Sequence, residues 1–448
     1  MENFAGEPEL QKLLALAVKD HNVLPLTGRC NLECVFCSHL QNPPGTRAYS
    51  FPPLPESLLQ DLMTCLDPGH KIIIGESATR LREGEPFTHP RVIDILKQLR
   101  SFYPATPFQV TTNGSLFSEE VISALAGLQP LELIVSLNSA SGEGRRKVMR
   151  DRMPGRAIEG LRLLKEYGLP FHGSVVALPH LTGWDDLRET VGFLEHEKAL
   201  TVRILLPGFT RISEPASVPP PGTLRKCYRF IEDLRASGVR IPLLAEPPLV
   251  TDLDPTVEGI IAGTPAAKAG LAAGDRIISV QKREPLSRVD CYDQLVKGEN
   301  PAVVFSRGGR AREAIIEKKA GERPGAAFSY DLDPKQVGRV KTFLSGKGQT
   351  LMLGSTPALR RWEIAAQKFD LQYLAIGAVA SDYFGGSIDC AGLLTVVDYQ
   401  AYLNGLTNMN QYDLILLPAV SFDYSGHDMA GDHYLSLNTC GVPFKIIG

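Results

Sequence analysis

From residue 20 to about 244, short apolar runs alternate with amphipathic stretches, and the alternation predicts elements one by one. Runs near 23–28, 71–76, 107–112, 131–137, 171–178 and 201–206 predict strands, and amphipathic stretches near 54–66, 90–102, 117–127, 155–167, 184–195 and 223–237 predict helices. Six β-α units in succession imply a parallel sheet with helices outside it, so the expected fold is α/β, a partial (β/α)6 TIM-like barrel. Barrels of this kind carry their chemistry at the C-terminal ends of the strands. The polar and turn-forming clusters fall at that end. Gly84-Glu85-Pro86 follows the second predicted strand, Thr111-Thr112-Asn113-Gly114 ends the third, and Ser136-Leu137-Asn138-Ser139 ends the fourth. Ala177-Leu178-Pro179-His180 ends the fifth and Leu206-Pro207-Gly208-Phe209 the sixth.

The loop after the first predicted strand holds Cys30-Asn31-Leu32-Glu33-Cys34-Val35-Phe36-Cys37, three cysteines at the spacing C-x3-C-x2-C. Thiolates are soft ligands that favour iron-sulfur clusters, zinc or copper(I) over magnesium or calcium. Three cysteines on a cubane of four irons would leave one iron without a protein ligand, open for chemistry. The competing reading is a closed Cys3His zinc site completed by His39.

The cysteine spacing resembles the signature of the radical S-adenosylmethionine (radical SAM) superfamily, and the turn clusters extend the resemblance. It implies that Cys30, Cys34 and Cys37 hold one 4Fe-4S cluster and that the amino and carboxylate groups of S-adenosylmethionine (SAM) chelate the fourth iron. Gly84-Glu85-Pro86-Phe87-Thr88-His89-Pro90 looks like the glycine-glutamate-proline loop that receives the SAM ammonium, which implies SAM contacts at Gly84 and Glu85. The Thr-Asn-Gly ending at Gly114 is common among relatives of the molybdopterin-biosynthesis type and adds Asn113, and Ser136 and Asn138 match positions that meet the ribose or carboxylate of SAM. One departure leaves two glutamates open: Gly75-Glu76-Ser77 stands at the end of the second predicted strand, and Gly84-Glu85-Pro86 comes nine residues later. The implied activity is reductive cleavage of SAM to a 5'-deoxyadenosyl radical that abstracts hydrogen from an unspecified substrate. A low-potential donor of the flavodoxin or ferredoxin type is the implied partner. No catalytic side chain is assigned.

A basic segment, Arg145, Arg146, Lys147, Arg150, Arg152 and Arg156, follows the fourth predicted strand. One of these could clamp an anionic group, and a solvated face is the alternative reading. His39, His89 and His180 lie near the expected mouth and carry no assigned role.

Glu246-Pro247-Pro248 reads as a boundary, and the texture then changes. The stretch from Val257 to Ala266, followed by Ala269-Gly270-Leu271-Ala272-Ala273-Gly274-Asp275-Arg276-Ile277, resembles a PDZ domain of the bacterial protease type. Such a module captures an extended peptide as an added strand, or acts as a spacer or lid. Beyond residue 328, strands near 350–353, 371–376, 413–417 and 443–447 with helices near 335–344 and 356–368 predict a small α/β domain. Phe384-Gly385-Gly386-Ser387-Ile388-Asp389-Cys390-Ala391-Gly392-Leu393-Leu394-Thr395 with Leu414-Ile415-Leu416-Leu417-Pro418 looks like the uncharacterised C-terminal domain of the radical-SAM/PDZ group. The expected division is a radical SAM core barrel over residues 1–245, a PDZ-like β-rich domain over 250–320 and a C-terminal α/β domain over 328–448.

With 448 residues the chain exceeds one ordinary core and suggests about two to four domains. A net charge of −3 gives no pull toward nucleic acid or an anionic membrane. No run of about eighteen apolar residues predicts a membrane span, and the acidic start, with Glu2, Glu7 and Glu9, does not read as a secretory signal. Cys65, Cys227, Cys291, Cys390 and Cys440 are scattered and odd in number, which argues for a reducing compartment and a cytoplasmic protein. None of them is grouped, so one cluster is expected. Cys390, in an apolar run, reads as a small core residue. His427, Asp428, Asp432, His433 and Cys440 lack standard ligand spacing and read as a solvated loop. The reading from a different class is a client-binding scaffold with a structural zinc site.

Overall fold

Six parallel strands in sequence order, with helices between them, make up the first half of the structure, a computed structural model that describes residues 6–344 and 348–448. The strands are β1 (Ile72–Ile74), β2 (Phe108–Thr112), β3 (Leu131–Ser136), β4 (Phe171–Val176), β5 (Val202–Leu205) and β6 (Leu243–Glu246). Their period of two sorts the side chains onto two faces. Phe108 and Val110 of β2, Leu133 and Val135 of β3, Val175 of β4 and Val202 and Ile204 of β5 are fully buried and pack with the helices in one large apolar core. The other face is polar. Gln109 pairs in register with Glu132, Ser136 with Ser174, and Ser174 with Arg203, and Lys71 reaches Glu132 at 2.7 Å. A parallel sheet whose outer face is covered by crossover helices and whose inner face is polar and partly open is the partial TIM-like barrel the pattern predicts.

The count of six holds, but its membership shifts by one. The predicted first strand, 23–28, is reduced to a single parallel bridge between Val23 and Ile73. Leu24 N donates to Ile73 O, and the next residue, Pro25, has no N–H with which to continue the ladder. The sixth strand is Leu243–Glu246, where the apolar pattern predicts no strand and Glu246-Pro247-Pro248 reads as a boundary; Pro242 and Pro247 flank it. As the last strand of the sheet it needs only one edge paired, and prolines at its ends cost it nothing there.

The chain divides into two compact units. The first runs to Leu40 and includes Arg47–Pro207 and Glu214–Glu246; the second comprises Gln41–Thr46, Gly208–Ser213 and Pro247–Gly448. Within the second unit, β7 (Gly259–Ile260) pairs antiparallel with β11 (Ala326–Ala327), and β8 (Arg276–Val280), β9 (Ala302–Arg307) and β10 (Arg310–Ile315) form an antiparallel sheet. The helix Arg288–Lys297 contributes Cys291 and Leu295 to their shared core. A separate parallel sheet has the order β13 (Leu374–Ala378), β12 (Thr350–Gly354), β14 (Leu414–Pro418), β15 (Phe444–Ile447), with its own core around Leu351, Tyr399 and Ile415. All four predicted strands and both predicted helices of this region are present, and the helix Val396–Asn404 is additional. Among the described residues no helix is long and apolar enough to cross a membrane.

Candidate functional site

The cysteine loop is laced to the glycine-glutamate-proline loop by backbone hydrogen bonds. Gly84 N donates to Thr27 O at 2.8 Å and Glu85 N to Arg29 O at 2.9 Å, so residues 27–29 and 84–85 run side by side immediately before Cys30. Only glycine fits at 84: a Cβ there would stand 1.9 Å from Arg29 O. Gly75, at φ +81°, lies so close to Thr111 O and the Pro86 ring that a Cβ would approach them to 2.4 and 2.6 Å.

From this anchor the chain turns through the three thiols. Leu32 N–H and the Asn113 amide, the latter at 3.8 Å, donate to Cys30 Sγ, and the N–H groups of His39 and Leu40 donate to Cys37 Sγ. Cys37 N closes a turn onto Cys34 O at 3.0 Å. Cys30 is exposed at the rim, and Cys34 and Cys37 are half-buried. All three thiols are pushed up, first by burial; repulsion from Cys37 and Cys30 adds to the effect at Cys34, and the charge of Glu85 adds to it at Cys30. A bound metal offsets the burial that holds these thiols up, so their ionisation and metal binding go together. Among the described residues no three His, Cys, Asp or Glu side chains converge tightly enough for a single metal ion. The donor set, three clustered thiols with N–H groups aimed at sulfur, fits an iron-sulfur cluster.

Glu85 is buried and fully engaged. Its Oε2 accepts from Asn113 N at 2.7 Å, and its Oε1 accepts from the Thr112 hydroxyl at 2.7 Å and from Phe87 N at 3.3 Å. Burial pushes its carboxyl up to about 7, against the pull of those donors and of Arg145. Glu76, the other candidate, sits on the polar face and accepts from Gln109 Nε2 at 2.8 Å and Thr111 Oγ1 at 2.7 Å. Asn113 also binds Asn31, whose amide donates to Ser115 Oγ, closing a ring beneath Cys30. Ser136 ends β3 on the polar face, in register with Ser174. Asn138, at φ +60°, accepts from Val176 N at 2.7 Å and donates to Met149 Sδ. The structure therefore connects Cys30, Gly84, Glu85 and Asn113 through direct contacts or the paired loops, places Ser136 on the adjoining face, and commits the Asn138 amide to the backbone of β4.

The sequence reading missed which basic residue matters. Arg146, Lys147, Arg150, Arg152 and Arg156 are exposed, whereas Arg145 is wholly buried. Its guanidinium holds Asp151 at 2.7 Å and donates to Leu137 O at 2.7 Å and Asn113 O at 3.0 Å, tying together the ends of β2 and β3. The signal was in the spacing: Val148 and Met149 follow at three and four residues, so Arg145 shares the inward face of the helix Gly142–Met149. His89 donates to Leu54 O and accepts from Arg91 N, and His180 bonds Ser217 O; both are structural. Cys390, expected in the core, is exposed. His427 and His433 pack edge to face, and Asp428, expected on a solvated loop, is fully buried and caps four backbone N–H groups, from Val396, Ala430, Gly431 and Asp432.

Residues 24–194 match the Radical SAM superfamily and residues 256–305 match the PDZ domain family. The chain carries a radical SAM domain and a PDZ domain. Members of the radical SAM superfamily bind a 4Fe-4S cluster and SAM. Among curated proteins it is similar to GTP 3',8-cyclases: 27% identical to that of Petrotoga mobilis over 34% of this chain and 44% of that protein. It is 31% identical to the Aquifex aeolicus cyclase over 32% of this chain and 43% of that protein. The chain thus spans about half the length of the curated relatives it matches or less. Among solved structures it is similar to Streptococcus suis SuiB bound to S-adenosylmethionine, with a TM-score of 0.38 and 17% identity, over 54% of this chain and 56% of that one.

Proposed function

We propose that this chain is a radical SAM enzyme in which Cys30, Cys34 and Cys37 hold one 4Fe-4S cluster and the glycine-glutamate-proline loop receives SAM. The observation that carries the reading is the position of Asn113. Its backbone N–H binds the Glu85 carboxylate and its side chain reaches Cys30 Sγ, so a single residue joins the thiol site to the carboxylate that would meet the SAM ammonium. When bound, the cluster supplies an open iron and the electron that cleaves SAM reductively to a 5'-deoxyadenosyl radical, which abstracts hydrogen from the substrate.

The chain's own residues do the rest. The 27–29 and 84–85 pairing fixes the distance between the two loops, and the N–H groups on Cys30 and Cys37 steady the thiolates. Of the two glutamates, we assign the SAM ammonium to Glu85, because its carboxyl is buried beside the thiols and a cation would relieve the cost of ionising it. Ser136 supplies a hydroxyl at the edge of the same cavity face, and Asn138 acts by holding β3 to β4. We extend the proposal to the three-part division of the chain, with the barrel over residues 1–245, the PDZ-like part over 250–320 and the C-terminal α/β part over 328–448 as the domain of the radical-SAM/PDZ group. It also covers a flavodoxin- or ferredoxin-type donor, a peptide or protein client at the PDZ domain, and a cytoplasmic location.

The second reading, a scaffold with structural zinc, is separated by metal content. Anaerobically purified and reconstituted protein should be brown, with broad absorbance above about 400 nm and about four irons per chain. Colourless protein with stoichiometric zinc would establish the scaffold instead. A zinc site of the Cys3His kind needs its ligands within about 2.3 Å of one point, a convergence that the thiols and His39 do not make.

A further inference from the structure

The nine-residue step between Gly75-Glu76 and Gly84-Glu85 places a segment, 77–83, whose purpose the proposed function leaves open. It is firmly held. Tyr49 N donates to Arg80 O and Arg82 N to Tyr49 O, both at 2.8 Å, and Leu81 between them is buried in the main core. With Leu81 turned inward, the strand-like alternation turns Arg82 to the opposite side. There its Nη1 donates to His39 O at 3.3 Å, two residues beyond Cys37. Its Nε and Nη2 are also enclosed, yet neither has a hydrogen-bond partner among the described residues. Two enclosed N–H donors left unmade on a half-buried guanidinium are an expensive arrangement unless something accepts them.

We propose that Arg82 sets the reduction potential of the cluster at Cys37, its two unmade N–H donors being held for the sulfur-rich anion that binds there. The inference rests on the reading that the three cysteines carry an iron-sulfur cluster. Such a cluster with three thiolate ligands is an anion, and reduction adds one more negative charge. A fixed cation beside one ligand favours the reduced form, and hydrogen bonds to ligand sulfur act in the same direction. Arg82 is thus a positioning residue that eases the electron transfer on which SAM cleavage depends, and it lies on a segment that separates the two glutamate-bearing turns.

The test is a redox titration, followed by electron paramagnetic resonance, of the full-length anaerobically reconstituted chain as wild type, Arg82→Lys, Arg82→Gln and Arg82→Met. The expected result is unchanged iron content and visible absorbance, with a midpoint that moves to lower potential from wild type through Arg82→Lys and Arg82→Gln to Arg82→Met. If Arg82→Met does not retain iron, the comparison of Lys with Gln decides: a lower midpoint in Gln supports the proposal, and equal midpoints overturn it. Unchanged midpoints with weakened SAM binding also overturn it, since Arg82 would then hold the SAM carboxylate and leave the cluster untouched. Wild-type protein that loads zinc without a visible band overturns the cluster reading and this inference together, whereas a normal cluster with a potential insensitive to Arg82 overturns only the latter.

Discussion

Arg145 shows how much of the site rests on one side chain that never meets solvent. Burial disfavours its charge, and Asp151 together with three backbone carbonyls compensates it. Removing one member of a buried ion pair leaves the other uncompensated, so Arg145→Ala should lower the unfolding free energy by about 3–5 kcal/mol in urea titrations. Exposed Arg146→Ala should change it by no more than about 0.5 kcal/mol. Glu85 offers a test of a different kind. Its folded value, about 7, lies above that of an unfolded glutamate, so the fold holds this proton. The stability it contributes is fully present below the unfolded value and is lost as pH rises through 7. A bound ammonium reverses the preference and draws the carboxyl into its ionised form. SAM binding to cluster-loaded protein at pH 6 should therefore release protons, seen as a dependence of the calorimetric heat on the ionisation enthalpy of the buffer, and Glu85→Gln should abolish the release. A heat independent of the buffer would assign the ammonium elsewhere, with Glu76 the next candidate.

At the scale of elements, the C-terminal sheet was legible almost strand for strand, because its parallel strands are continuous apolar runs bounded by amphipathic helices. The first and last strands of the larger sheet were not. Pro25 breaks a run that the apolar pattern makes a strand, and the four-residue edge strand Leu243–Glu246 is too short and too closely flanked by Pro242 and Pro247 to stand out in the pattern. The cysteine spacing and the Gly84-Glu85-Pro86 turn stand out in the sequence as a candidate site. What the sequence could not display was the contact that unites them, since Asn113 stands eighty-three residues from Cys30. That contact depends on two loops running side by side with no room between them. Gly84→Ala, placing a Cβ against Arg29 O, should therefore impair iron retention and SAM binding well before it unfolds the barrel. Gly155→Ala, at a helix start with open space around it, should leave both unchanged. Iron content and SAM affinity measured beside thermal unfolding check the pair.

At the scale of the molecule, two short segments from the first half of the chain cluster with the second compact unit. In Gly208–Ser213, Phe209 is fully buried, its N–H bonds Ser387 Oγ and its carbonyl accepts from Ser387 N; Thr210 Oγ1 donates to Gln41 O of the other segment. Sequence texture suggests a boundary at Glu246-Pro247-Pro248, and the compact units change between Glu246 and Pro247. A chain cut there would leave Phe209 without its partners, so protein ending at Glu246 should be less stable and more prone to aggregate than the full chain, as light scattering and denaturant unfolding would record. Radical SAM chemistry is read out by the formation of 5'-deoxyadenosine from SAM by dithionite-reduced, anaerobically reconstituted protein. The wild-type chain should cleave SAM, and Cys34→Ala should lose that cleavage. Full cleavage by Cys34→Ala, or none by a wild-type chain carrying its complement of iron, would contradict the radical SAM reading.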